Sequence, residues 1–355
     1  MYDDMKKAQM SLDQAKQIAL DCFDLEVSQI KELNGYDDKN YYLLARRRND
    51  TQEIGYVLKV INSEDSKNEK LFEAQSLLLE HLGKKGLPCP KPILTKNKKL
   101  QVKVKLNGVE HLVRILEYID GILLNKVECT PKLLYQVGRI TAELDEAMMD
   151  FHHEAYSNRK FPWMLELVPD IKKYLYALKD SVKEDLVTTI VKDFEGRVLS
   201  VSSNFKRGII HGDINEQNII VEKGDNNEYL LKGIIDFGDV NEACYLFELA
   251  IVMTYMILEA KDVEVGGYVI AGYESVWDVP IEEFRLLKIC IEARLCQSLV
   301  LGAYCSLREP ENSYILSTAA KGWETLNKVR SYPEDKLLER WRSIADQQKS
   351  SCKST

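Results

Sequence analysis

Residues 211–218 read HGDINEQN and residues 234–239 read IIDFGD. The first follows the apolar run RGII and the second closes the run EYLLKGII, so Asp213, Asn218 and Asp236 fall at or just past strand-like ends. A carboxylate in such a place has to be hydrogen-bonded, protonated or matched by a cation. Two aspartates and an amide oxygen converging there point to a divalent metal and a polar reaction. Asx capping of a polar turn accounts for Asn215 or Asp225. It does not account for H-x-D-x-x-x-x-N followed by an apolar strand and DFG.

Another charged group sits in apolar surroundings upstream. Lys59 is in the middle of IGYVLKVI (54–61), where an inward lysine needs a paired charge. Glu73, on a predicted helix, is placed to reach it. For Lys59 taken alone, an edge-strand lysine facing solvent is an equally good reading.

The elements that must position these groups follow from pattern. Ser11 and Gln14 have capping-box spacing ahead of a short amphipathic helix ending near Phe23. Strand-like runs follow at 26–33, 40–47 and 54–61, then a helix ending at Gly86 with lysines in its last turn. LQVKVKL and VEHLVRIL flank Asn107-Gly108, a strong hairpin signal. Residues 1–117 therefore read as a β-rich domain with an antiparallel sheet. After EYIDG the character turns helical, with Thr130 capping and Pro131 at the first position of a helix to about Asp150. Further helices are predicted at about 169–179, 183–203, 244–260, 281–306 and 311–345, interrupted by the strands that bracket HGDINEQN. Residues 118–345 form the expected helical domain, and the polar stretch 346–355 is expected to be a flexible tail.

Composition bounds the partners. The 355 residues are 45% apolar and 29% charged, as in an ordinary globular protein of two domains or one large one. A net charge of −8 argues against a nucleic-acid coat protein. Eight scattered cysteines without a CxxC pair suit reduced, buried thiols in the cytoplasm. The opening MYDDMKKAQM is polar, and the apolar run at 244–258 is too short for a bilayer and carries Glu248, so no membrane partner is expected.

A small β-rich lobe, a connector and a large helical lobe around a strand-loop-strand motif resemble the bilobal α+β fold of the eukaryotic-type kinases. Phosphoryl transfer asks for positioning and charge neutralisation. In that chemistry Asp213 takes a proton from an acceptor hydroxyl, Asn218 and Asp236 hold Mg²⁺, and His211 orients the loop. HGDINEQN with IIDFGD is similar to the aminoglycoside phosphotransferase and choline kinase branch. Protein kinases carry Arg where Gly212 stands, have a G-x-G-x-x-G cover and end their activation segment in Ala-Pro-Glu. Long stretches of the C-terminal half, among them GDVNEACYLFELAIVMTYMILEAK and ARLCQSLVLGAYCSLREPENSYIL, resemble the hydroxylysine kinase group of that branch.

The resemblance implies a GTP-dependent transfer, with ATP as the alternative donor, to the 5-hydroxyl of 5-hydroxy-L-lysine. It implies Lys59 on the donor phosphates with Glu73 holding it, and Glu117, Tyr118 and Ile119 as the hinge meeting the purine. Residues 35–40 would cover the phosphates, with Gly35 allowing close approach and Asn40 holding the loop. Glu248 would brace the 211–218 loop. Asp239 and Glu242 are placed for an ammonium group, with Glu274 and Glu292 as further candidates, and Arg294 for a carboxylate. A choline, homoserine or aminoglycoside kinase would keep the same catalytic residues, and a nucleotide-binding scaffold is the reading from another class.

Overall fold

The computed structural model describes residues 7–35, 38–48, 50–308 and 319–352. The chain divides into two compact units, residues 1–121 with 232–235, and residues 122–231 with 236–355. The division falls at Gly121, four residues beyond the expected boundary, and a short piece of the later chain joins the first unit.

In the first unit, helix α1 (Leu12–Phe23) starts at a capping box, with Ser11 Oγ accepting from the Gln14 amide and Gln14 Oε1 from the Ser11 amide. Strands β1 (Leu25–Leu33), β2 (Lys39–Arg47) and β3 (Ile54–Val60) follow, then helix α2 (Glu69–Lys84) and strands β4 (Pro92–Ile93), β5 (Val102–Leu106) and β6 (Val109–Glu117). The sheet runs in the order β1-β2-β3-β6-β4, with β5 also pairing β6. Asn107 and Gly108 both have positive φ, 48° and 85°, which is the two-residue turn the β5–β6 hairpin requires.

Alternation along β3 sends Tyr56, Leu58 and Val60 into a core shared with Ala15, Ala19 and Phe23 of α1 and with Tyr41, Leu43 and Ala45 of β2. Lys59 therefore projects from the opposite face of the sheet.

The second unit holds strand β7 (Ile122–Leu123), helix α3 (Pro131–Met148), a run of 3₁₀ turns at Leu165–Leu178 and helix α4 (Ser181–Phe194). Strands β8 (Arg207–Ile210), β9 (Ile219–Lys223), β10 (Tyr229–Ile234, whose last three residues belong to the first unit) and β11 (Asn241–Cys244) come next. Helices α5 (Tyr245–Ala260), α6 (Gly266–Tyr273), α7 (Ile281–Phe284), α8 (Leu287–Arg308), α9 (Ala319–Ser331) and α10 (Glu334–Cys352) complete it. β11 pairs antiparallel with β8, and β7 with β9. α5 is apolar on every side and buried through fourteen consecutive residues, Tyr245 to Leu258, so it is the axis of the unit.

Several elements differ from the sequence reading. The short strands β4, β7 and β11 and the helix α6 were not expected: two to four residues carry no usable period, and α6 has glycine at 266, 267 and 272. Those glycines serve packing. A β-carbon added at Gly272 would lie 1.9 Å from the Tyr135 carbonyl oxygen of α3, and one at Gly138 would lie 1.9 Å from that of Val269. The helix predicted at 183–203 ends at Phe194 and continues as a wider turn and a 3₁₀ turn. The one predicted at 311–345 breaks before Pro333, as proline demands, while residues 311–318 lie outside the described ones. The flexible tail is corrected too. Residues 346–352 continue α10, where Lys349 donates to Glu274 at 2.8 Å; residues 353–355 lie outside the described ones.

Candidate active site

In the second unit β8 ends at Ile210 and the chain enters the 211–218 loop. His211 is buried with its ring 4.6 Å from that of Phe237, and its Nδ1 accepts from the Asp213 amide at 3.2 Å. Gly212 has φ 78°, and a β-carbon there would meet Asn241 Nδ2 at 2.7 Å and the Asp239 carbonyl oxygen at 2.8 Å. No larger residue fits, which excludes the arginine of protein kinases at this position. The Gly212 amide donates to Glu248 Oε2 at 3.0 Å. Glu248 is fully buried in the first turn of α5, and burial pushes its carboxyl up to about 7 against the opposing pull of the Gly212 and His211 amides.

Asp213 is the hub. Its Oδ2 accepts from Asn215 Nδ2 and Asn218 Nδ2, both at 2.9 Å, and its Oδ1 from Arg294 Nη2 at 3.1 Å. Burial raises the Asp213 carboxyl well above the ordinary range, and the charge of Asp239 adds to this; Arg294 and Asn215 pull it down, and Asp236 pushes it up again. The charges of Asp236 and Asp239 thus both act on the Asp213 carboxyl.

Arg294 is a correction. It is fully buried in α8, its Nη1 donates to the Trp163 carbonyl at 2.8 Å and to Gln297 Oε1 at 3.0 Å, and it lies against the rings of Trp163 and Tyr255. A guanidinium so enclosed needs an acidic neighbour, and that neighbour is Asp213. It is not free to meet a substrate carboxylate. Glu274 and Glu292 are likewise committed. Glu274 holds Arg342 and Lys349, each at 2.8 Å, and Glu292 holds Arg330 at 2.8 Å and Lys288 at 3.3 Å. Asp239 is half-buried after Gly238, and Glu242 is exposed on β11 opposite Ile209.

The donor set suits a hard cation that keeps water and phosphate ligands. Both N–H groups of Asn218 are used, on the Asp213 carbonyl and Oδ2, which leaves its amide oxygen for a metal. Asp236 is exposed, in left-handed backbone at φ 63°, and its charge falls on the same cluster. Among the described residues no three histidine, cysteine or acidic side chains are grouped to hold a metal by themselves. Mg²⁺ asks for no such cage, since it is held by one or two carboxylates together with phosphate and water.

In the first unit, Lys59 stands directly across the β3–β6 ladder from Arg114. Two like charges in that register need a shared anion. Asp38 supplies negative charge to both. Burial raises its carboxyl, and Lys59, the Asn62 amide and Arg114 hold it down. Its Oδ1 accepts from the Asn62 amide at 2.9 Å and Nδ2 at 3.3 Å, and Asn62, wholly buried, also donates to Asp65 at 2.6 Å. Glu73, the expected partner of Lys59, is a second correction. It is exposed and has no ion pair among the described residues, because α2 turns Phe72, Ala74 and Gln75 inward instead.

Gly35 and Asn40 lie together at the β1–β2 turn. A β-carbon on Gly35 would meet the Asp38 carbonyl oxygen at 2.5 Å, so glycine is required there, and Asn40 donates to the Asn34 carbonyl at 3.4 Å. Residues 36 and 37 of that turn lie outside the described ones. At the 117–119 segment the Glu117 amide donates to the Lys91 carbonyl at 2.8 Å and the Tyr118 amide to that of Gly55 at 2.9 Å.

Four contributors escaped the sequence reading: Asp38, Asn62, Arg114 and Arg159. Arg159 donates to the carbonyls of Gly238 and Val240 and stacks on Phe161 at 4.1 Å. It lies in an irregular stretch without periodicity, which left no signal to find it. Arg114 had one, an arginine inside the apolar VEHLVRIL.

In the second unit, a carboxylate held beside an amide and near a second aspartate is an arrangement that suits phosphoryl transfer. Residues 29–282 match the phosphotransferase enzyme family. The chain is 35% identical to hydroxylysine kinase of Bos taurus, covering 96% of this chain and 95% of the relative, and 33% identical to that of Xenopus laevis over 96% and 95%. Among solved structures, a microcompartment-associated aminopropanol kinase shares the fold at a TM-score of 0.71 and 17% identity, covering 91% of this chain and 97% of that one. An amicoumacin kinase in complex with AMP-PNP, Ca²⁺ and Ami does so at 0.67 and 15%, covering 92% and 97%. The chain belongs to the phosphotransferase enzyme family, within its hydroxylysine kinase group, and is a kinase with an alcohol group as acceptor.

Proposed function

We propose that this protein transfers the γ-phosphoryl group of GTP to the 5-hydroxyl of 5-hydroxy-L-lysine with Mg²⁺. The observation that carries the acceptor is the similarity to hydroxylysine kinases over nearly the whole chain, at 35% identity. The site chemistry supports the reaction class independently of that similarity.

In this reading Lys59 and Arg114 hold the donor phosphates, and the Glu117 carbonyl and Ile119 amide meet the purine edge. Gly35 and Asn40 shape the turn over the phosphates. Asn218 and Asp236 would hold Mg²⁺, which when bound neutralises phosphate charge. Asp213 accepts a hydrogen bond from the acceptor hydroxyl, orients it and takes its proton as the new oxygen–phosphorus bond forms and the nucleoside diphosphate leaves. His211 and Glu248 hold the loop that carries it. Asp239 and Glu242 are assigned to the two ammonium groups of the acceptor. The free thiols, with Cys89, Cys244, Cys290 and Cys296 buried, fit a reducing cytoplasm. Among the described residues no helix is long and apolar enough to cross a membrane.

The test is diphosphate release by the purified protein with Mg²⁺, GTP and ATP being compared as donors. Acceptors are 5-hydroxy-L-lysine, lysine, homoserine, choline and an aminoglycoside. Turnover with hydroxylysine and none with lysine, which lacks the hydroxyl, is expected. Turnover with a different acceptor overturns the substrate and keeps the reaction class.

A further inference from the structure

The hydrogen bonds on Asp213 are unequally divided between its two oxygens. An ionised carboxylate offers about four lone-pair sites, two on each oxygen. Oδ2 uses both of its sites, on Asn215 Nδ2 and Asn218 Nδ2 at 2.9 Å each. Oδ1 uses one, on Arg294 Nη2 at 3.1 Å. The side chain is one-quarter exposed, whereas that of Arg294 is 1% exposed. The place left for an incoming hydroxyl is the second site of Oδ1.

Arg294 is itself held from behind. Its Nη1 bridges the Trp163 carbonyl and Gln297 Oε1. Gln297 in turn donates to the carbonyls of Pro162 at 2.8 Å and Met164 at 2.9 Å. Three consecutive carbonyls of the 162–164 segment therefore fix the guanidinium from α8. Arginine suits this better than lysine, because its planar fork reaches the segment and the carboxylate at once.

We propose that Asp213 Oδ1 is the oxygen that receives the acceptor's proton, and that Arg294 is the positioning residue that selects it. The inference rests on the phosphoryl-transfer reading. The acceptor's O–H bond breaks towards Oδ1 while its oxygen bonds to the γ-phosphorus. The bond from that phosphorus to the diphosphate oxygen breaks, and the diphosphate takes its electron pair. Arg294 keeps the carboxylate plane from rotating and leaves Oδ2 on the two asparagines throughout.

The experiment is a double-mutant cycle of Arg294→Gln with Asp213→Asn, read as steady-state kcat and KM, with Arg294→Lys alongside. Arg294→Gln is expected to lower kcat roughly a hundredfold while both KM values stay within about threefold, as misplacement of a reacting group does. Arg294→Lys, which keeps the charge and one donor, recovers part of the loss. In the Asp213→Asn background Arg294→Gln costs almost nothing further, because the two act as one unit. Additive losses in kcat, or loss of GTP affinity by titration calorimetry equal to the loss of kcat, overturn the proposal. Should Arg294→Gln fail to fold, the Arg294→Lys arm of the cycle gives the same comparison. A wild-type enzyme inactive on every alcohol acceptor would instead sink the underlying reading, so the two failures are distinguishable.

Discussion

The Gly212 amide donates to the Glu248 carboxylate at 3.0 Å, so the 211–218 loop hangs from an acid that is wholly buried in α5. Burial pushes that acid up from 4.5 to about 7. The folded chain therefore holds this proton more tightly than the unfolded chain. Between pH 4.5 and about 7 the native state binds more protons, and this group's contribution to stability falls as pH rises through that window. Wild type should lose about 3 kcal/mol relative to Glu248→Gln between about pH 5 and about pH 8. Urea unfolding of both proteins at the two pH values measures it, and parallel curves would show that Glu248 is ionised throughout.

Asp213→Asn should lower kcat about a thousandfold, within the usual range for losing a general base. Nucleotide affinity should stay within about twofold, since among the described residues the Asp213 carboxylate is held by the loop asparagines and Arg294. Steady-state kinetics with calorimetric nucleotide binding checks both. Retained turnover removes Asp213 from the reaction.

Asp236→Ala should abolish the Mg²⁺ dependence of nucleotide binding. The exposed carboxylate is one of the two side chains proposed to hold the ion, and Asn218 carries no charge to compensate. Titrating nucleotide with and without Mg²⁺ decides it, and an unchanged metal effect would move the ligand elsewhere.

Glu73→Ala should leave the nucleotide KM within about twofold, because the side chain points to solvent. Arg114→Gln, across the ladder from Lys59, should raise that KM at least about tenfold, the usual cost of a charge-assisted bond. Equal effects of the two changes would restore Glu73 as the partner of Lys59.

Gly138→Ala should destabilise the protein by about 3 kcal/mol or more, because its β-carbon would sit 1.9 Å from a backbone oxygen of α6. Gly83→Ala meets nothing within 4 Å and lies inside α2, so it should stabilise by about 0.5–1 kcal/mol. Thermal unfolding of the pair gives both signs, and a neutral Gly138→Ala would mean that α3 and α6 separate freely.

The exposure of Glu73 was legible in the chain. Glu73, Glu80 and Lys84 share one face of α2, while Leu71, Gln75, Leu78, Leu79 and Leu82 define the other. Leu77, which falls among the charged three, is only half-buried, as a leucine on that face should be. Placing Glu73 by its position on the helix, without reading that period, produced an expectation that the exposed side chain does not meet.

The sequence by itself determined the capping box of α1, the Asn107-Gly108 hairpin, and the strand-loop-strand pieces that carry Asp213, Asn218 and Asp236. These depend on bonds and periods within a few residues of one another, so local composition encodes them. Tertiary structure alone decided what Arg294 does. Its partner Asp213 lies 81 residues earlier in the chain, and a charged residue in an apolar helix looks the same whether it awaits a ligand or grips a buried carboxylate. The same holds for Asp38, whose proximity to Lys59 and Arg114 arises from strand register. Burial turns such residues into parts of a site, and burial is a property of the packed chain, not of any segment within it.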